Sequence, residues 1–173
     1  MSTSRIRAWC AAAAVTATAK AVVAAPPAGA EPLDELRRLL PAGYGPDSCE
    51  PAQPGFLGEG ALAGLNCRDN SLPGGPAYAQ YELFADRNML GGQFQHDVNA
   101  RHPQPVPCPG GRPSPGSWHD DRTPNQSFGS VLCGRLEGGP DLAVEWTNES
   151  NLVLALASGP DLANLYDWWT ASR

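Results

Sequence analysis

The sequence predicts an α+β domain: an antiparallel sheet with helices packed on one face, held by two disulfides. Three observations predict it. Residues 127–157 carry three strand-like runs, SFGSVLCGRLE, DLAVEWTN and NLVLALA, joined by connections short enough for an antiparallel meander. Amphipathic segments with capping signals stand near the start, in the middle and at the end of the chain. Four cysteines, Cys49, Cys67, Cys108 and Cys133, are spread between the first and last of these segments.

In chain order, PLDELRRLL sets Leu33, Leu36, Leu39 and Leu40 at helical spacing, with Pro32 suited to the first turn, Asp34 and Glu35 at its positive end, and Pro41 as the stop. The stretch PAGYGPDSCEPAQPGF is turn-rich and reads as irregular past Cys49. GALAGLNC is a short apolar strand delivering Cys67. In AYAQYELF the residues alternate, so Tyr78, Gln80, Glu82 and Phe84 share one face and Ala79, Tyr81 and Leu83 the other. Asp86 is the N-cap of a helix through RNMLGGQFQHDVNA, with Met89, Leu90, Phe94 and Val98 as its apolar stripe. After the meander, SGPDLANLYDWWTASR forms a last helix capped by Ser158 or Asp161. Its Leu162, Leu165 and Trp169 at i, i+3 and i+7 predict a buried stripe, with Trp168, about 100° away, exposed at the rim of a groove.

The N-terminal residues set the expected compartment. Arg5 and Arg7 precede an Ala/Val-rich run ending in Ala28-Gly29-Ala30, the pattern of a secretory signal cleaved after residue 30. The domain is then 31–173, secreted or extracytoplasmic, with no later segment able to span a bilayer. Cleavage removes Arg5, Arg7 and Lys20, three of the twelve basic residues, and leaves nine against eighteen acidic ones. So acidic a surface excludes binding to a phosphate backbone and disfavours docking on anionic membranes. Four cysteines in an exported chain argue for two disulfides with three possible connectivities; short separations favour Cys49–Cys67 and Cys108–Cys133. A zinc site is disfavoured because no C-x-x-C pair occurs.

Residues 106–121, VPCPGGRPSPGSWHDD, gather more functional side chains than any other stretch. His119, Asp120 and Asp121 are metal-ligand types, but consecutive ligands in a loop rarely converge on one ion, and no H-x-x-x-H pair fixes a helical face. The stretch therefore reads as a proline-stiffened loop, anchored by Cys108, with Trp118 packing inward. Ser114 in RPSPG misses the G-x-S-x-G elbow, and neither a P-loop nor a dinucleotide-binding glycine pattern is present. Acidic pairs such as Asp120-Asp121, or Glu145 and Glu149, read as solvated charges rather than an acid/base dyad. No catalytic residue, metal or cofactor is expected. Aromatic rings beside polar rims are what binding surfaces use, so Trp118, His119 and Trp168 are the candidate binding residues.

Taken together, LLPAGY, the spaced Cys49 and Cys67, PGGPAYAQYELF, PCPGG…PSPGSWH, the Cys133 strand, VEWTN and GPDLANLYDWW resemble an actinobacterial extracytoplasmic domain. That domain occurs in stand-alone exported mycobacterial proteins and as the outer C-terminal part of some mycobacterial serine/threonine protein kinases. The resemblance implies a sensor-like role outside the membrane and brings no catalytic residues with it. The expectation is a secreted, non-catalytic, monomeric domain that binds a small ligand, an envelope component or a protein partner. The alternative is an exported hydrolase using the His119-Asp120-Asp121 loop.

Overall fold

A computed structural model describes residues 30–120, 122–139 and 141–173. The expected signal segment, as far as residue 29, lies outside the described residues, as does Asp121. Helix α1 (Ala30–Leu39) is followed by strands β1 (Cys49–Pro51), β2 (Ala61–Arg68) and β3 (Tyr78–Phe84), then by α2 (Arg87–Ala100). The second half comprises β4 (Gln104–Pro105), β5 (Gly116–His119), β6 (Ser127–Arg135), β7 (Leu142–Asn148), β8 (Val153–Gly159) and α3 (Leu162–Ser172). All eight strands form one antiparallel sheet in the order β1-β2-β3-β8-β7-β6-β4, with β5 also pairing β6. The β6–β7–β8 meander is as the sequence predicts, and β8 then pairs with β3, joining the two halves at the sheet centre.

The two disulfides are Cys49–Cys67 and Cys108–Cys133, the sequential pairing. Cys49 and Cys67 are direct register partners on β1 and β2. Cys108 opens a 3-10 turn over Pro109–Gly111 and ties it to β6. Disulfides of this kind belong to chains that fold in an oxidising compartment. Among the described residues no helix is long and apolar enough to cross a membrane.

Strand alternation sends consecutive residues to opposite faces of the sheet. Leu65 and Cys67, Tyr81 and Leu83, Val131 and Cys133, Val144 and Trp146, and Ala155 and Ala157 share one face with Leu36 of α1 and with Leu165, Trp168 and Trp169 of α3. The other face presents Phe84, Leu132 and Leu154 to Leu90 and Phe94 of α2. The expectation of helices on one face thus holds for α1 and α3 only; α2 covers the opposite face. The reason lies at Asp86, whose carboxylate caps the backbone amides of Asn88 and Met89 at 2.8 and 3.0 Å and starts α2 straight after Phe84. Of its expected stripe, Met89 is the exception: it is exposed, on the rim of the helix beside Gly60.

Helix α3 opens at Asp161, which accepts from the Asn164 amide at 2.9 Å. Leu165, Tyr166, Trp168 and Trp169 are all buried, an arc of about 160° rather than a single stripe. Trp168 is only 3% exposed, against the expectation that it stands at a rim. The helix presses on β7 and β8, and Leu39 and Pro41 stand across a small hollow from both indoles. Trp168 meets Trp146 edge-on, while Trp169 contacts Trp118, Trp146 and Tyr166.

Three strands, β1, β4 and β5, were hidden in turn-rich sequence. β1 lies where an irregular segment is expected, and β5 emerges from the Pro/Gly-rich stretch because β6 offers it a partner edge. Both margins of the sheet are short: β1 has three residues and ends on Pro51, and β4 has two and ends on Pro105.

Candidate functional site

The three residues nominated from sequence do not meet in one cavity. Trp118 is buried, stacked on Phe128 at 5.6 Å between centroids, and donates its indole N–H to the Thr147 carbonyl at 2.7 Å. His119 is exposed; its Nδ1 lies 3.0 Å from the Gln126 carbonyl, and its own carbonyl accepts from Arg173. These two border a cleft of about 310 Å³ with Arg112, Tyr166 and Arg173. Trp168 borders a separate hollow of about 140 Å³ with Leu39, Tyr81 and Trp146. Asp120 is occupied locally, accepting from the Arg122 amide at 2.7 Å. Among the described residues no group of three His, Cys, Asp or Glu side chains is arranged to hold a metal ion.

A different site lies on the α2 face. A pocket of about 360 Å³ is bounded by the loop Gly55–Gly58, by Gln80 and Glu82 of β3, Glu145 of β7, Leu154 and Leu156 of β8, and Gln93, Asp97 and His102 at the end of α2. Register explains the convergence: Gln80 and Glu82 pair with Leu156 and Leu154, and Glu145 pairs with Leu156 on the other side. Three adjacent strands therefore direct these residues to the same patch of sheet.

Polar contacts brace the walls. Glu82 accepts from the Gly58 amide at 3.1 Å and from the Gln80 side chain at 2.6 Å. Gln80 also donates to the Phe56 carbonyl at 3.3 Å. Gln93 donates to Asp97, one turn along α2, at 3.0 Å and accepts from the Glu59 amide at 3.1 Å. A Cβ on Gly58 would stand 2.7 Å from Gln93 Cδ, so a side chain there would push the Gln93 amide aside. The loop is thus pinned to both β3 and α2. At its crest Phe56 is 74% exposed, the most exposed large apolar side chain among the described residues.

Glu145 stands apart. It is 1% exposed, and neither carboxyl oxygen has a hydrogen-bond donor from the protein. With both carboxyls ionised, Glu145 and Asp97 offer each other only acceptors; a bond between them exists while one holds a proton. Burial, reinforced by Asp97 and then Glu82, pushes the Glu145 pKa up to about 9, so Glu145 carries that proton at neutral pH. Burial also raises Glu82 and Asp97, opposed at Glu82 by the Gly58 and Gln80 donors and at Asp97 by Gln93 and Glu145.

The sequence reading of Glu145 as a solvated charge is therefore wrong. In VEW, an acid alternating with apolar residues looks outward-facing, and it does face away from the aromatic core. What it faces is the covered side of the sheet beneath α2. The available signal was the pairing of two strand acids, Glu82 and Glu145, with a helix already assigned between the halves.

No protein-family model matches the chain, and no curated protein or solved structure is significantly similar to it.

Proposed function

We propose that this protein is an exported, non-catalytic binding domain whose small ligand enters the pocket beneath Phe56. The observation that carries the reading is Glu145: a carboxyl removed from water with no donor of its own, at the wall of a cavity of small-molecule size. Burying a carboxyl whose one polar partner is another acid costs free energy that a purely structural residue would not be expected to incur. A scaffold held by two disulfides and an aromatic core tolerates that cost. An apolar wall with a few convergent polar groups is the usual form of a small-ligand site. The sensor-like role implied by the family resemblance fits this reading, with a loop that touches both β3 and α2 as the element a ligand would reach first.

The His119-Asp120 loop supports hydrolysis less well. His119 is turned to a backbone carbonyl, Asp120 closes its own turn, and a general base needs a proton within hydrogen-bond reach.

A thermal-shift screen of small polar compounds against the oxidised protein tests the proposal, with Leu156→Trp as the blocked-pocket control. Compounds that raise the melting temperature should lose their effect in Leu156→Trp, keep it in His119→Ala, and be recovered chemically unchanged. Recovery of a cleaved compound would overturn the non-catalytic reading. Stabilisation that survives Leu156→Trp would overturn the pocket.

A further inference from the structure

We infer that the pocket takes an organic cation, an ammonium or guanidinium group on a short aliphatic stem. This rests on the reading of the pocket as a ligand site and adds the ligand's chemistry. The lining is rich in acceptors, and its Gln80, Gly58 and Gln93 donors are turned to acceptors of the protein itself. Gln80 donates to Glu82 and to the Phe56 carbonyl, the Gly58 amide to Glu82, and Gln93 to Asp97. Among the described residues three carboxyl groups line the cavity, no lysine or arginine does, and His102 is the sole basic residue. Among the described residues no N–H or O–H donor other than the proton shared with Asp97 reaches the two carboxyl oxygens of Glu145. A ligand that satisfies them once Glu145 ionises must bring N–H donors and positive charge. An anion would face three acids and could not let Glu145 ionise.

Size and walls favour an organic cation over a metal ion. Among the described residues no ligand set for a metal is assembled, and about 360 Å³ exceeds what a bare ion fills. Phe56, Leu57, Leu154 and Leu156 supply apolar surface along which a methylene stem can lie, and the exposed Phe56 ring offers its face to a cation at the mouth.

Binding should draw the proton from Glu145. The groups facing it are Glu82 on β3 and Asp97 on α2, with His102 just beyond α2. Affinity for a cation therefore rises with pH toward about 9, approaching tenfold per unit where Glu145 is the group that must ionise.

The test is amide-resolved NMR titration of the oxidised protein. The probes are agmatine and cadaverine as free amines and N-acetyl-lysine amide as a peptide side chain, with 1,5-pentanediol and glutarate as the neutral and anionic counterparts. Agmatine should shift the Gly58, Glu59, Asp97 and His102 resonances, and bind at least tenfold more tightly at pH 8.5 than at pH 6.5. Glu145→Gln should weaken it at least tenfold at pH 8.5, and Phe56→Ala several-fold, with the spectra of both variants otherwise preserved. Tighter binding of the capped lysine than of cadaverine would make the source a basic peptide side chain, and the reverse order a free amine. If pentanediol or glutarate shifts these resonances and the cations do not, the ligand class is overturned while the pocket stands. Agmatine affinity unchanged by Glu145→Gln would also overturn the class. If no probe shifts them, the class is overturned, and a screening hit that depends on an open pocket would then show the pocket reading surviving alone.

Discussion

The two faces of the sheet are built from the same strands yet differ in kind. Val144 and Trp146 of β7 join a continuous aromatic and aliphatic core with Tyr81, Trp168 and Trp169, whereas Glu145 between them sits under α2 beside Glu82 and Asp97. One face is sealed by two helices and many rings in edge-on contact. The other is covered by a single helix with two adjacent glycines, Gly91 and Gly92, and by a pinned loop. A strand can thus carry the stability of a fold on one side and an energetically unsatisfied site on the other, because alternation makes the two sets of side chains independent. The difference teaches where mutations should hurt folding and where they should relieve it.

The largest loss is expected on the aromatic face. Trp169→Ala should cost about 3–5 kcal/mol, and Trp168→Ala should fall in the same range because both indoles are inside. Denaturant unfolding of the two variants checks this; a Trp168→Ala loss under about 1 kcal/mol would mean that the Trp146–Trp168 contact is loosely packed. Next comes the bond that ties the Pro109–Gly111 turn to β6. Replacing Cys108 and Cys133 together by serine should lower stability by about 2–5 kcal/mol, read from the same unfolding curves.

The carboxylate face should behave in the opposite sense. Glu145 has a folded pKa of about 9, above its unfolded value, so the folded state binds the extra proton between the two. Stability should therefore be greatest at mildly acidic pH and fall as pH rises toward 9, by an amount of order 1 kcal/mol per pH unit. Glu82 and Asp97, also raised by burial, steepen the acid end of that decline. Glu145→Gln should flatten the slope and leave the protein more stable than wild type at pH 8–9, as melting temperatures across pH 5–9 would reveal. The smallest effect is at the rim: Phe56→Ala should change stability by less than about 0.5 kcal/mol, because that ring is mostly in water. If Phe56→Ala proves as damaging as Trp169→Ala, the loop is part of the core and the contrast between the faces fails.

These outcomes bear on how far the sequence could be read. Asp86 announced α2 because a short acid before an amphipathic run has a local reason to be there. The alternation in AYAQYELF assigned Tyr81 and Glu82 to opposite faces because period two is a local property. The cysteine separations favoured the right pairing. What was illegible depended on partners remote in sequence. β1 and β5 are strands only because β2 and β6 lend them an edge, against the local preference of Pro51 and the glycines around residue 110. Trp168 is buried against Trp146, which comes from a strand remote in sequence. Glu145 looked like a surface charge because nothing near it in sequence says that α2 lies above. The site escaped for the same reason: Trp118, His119 and Trp168 were chosen as conspicuous side chains, whereas Glu82, Asp97 and Glu145 become a site only when β3, β7 and α2 are laid together.

The short margins of the sheet have a consequence for life in a crowded compartment. A long exposed edge is a template on which another chain can grow. Here β1 is three residues long and cross-linked to β2 by Cys49–Cys67, and its last residue, Pro51, lacks an amide hydrogen to donate. At the far side β4 ends on Pro105 after two residues. Beside β4, β5 has four residues, so each edge strand offers a neighbour only a short ladder to extend, while the loops and faces remain available.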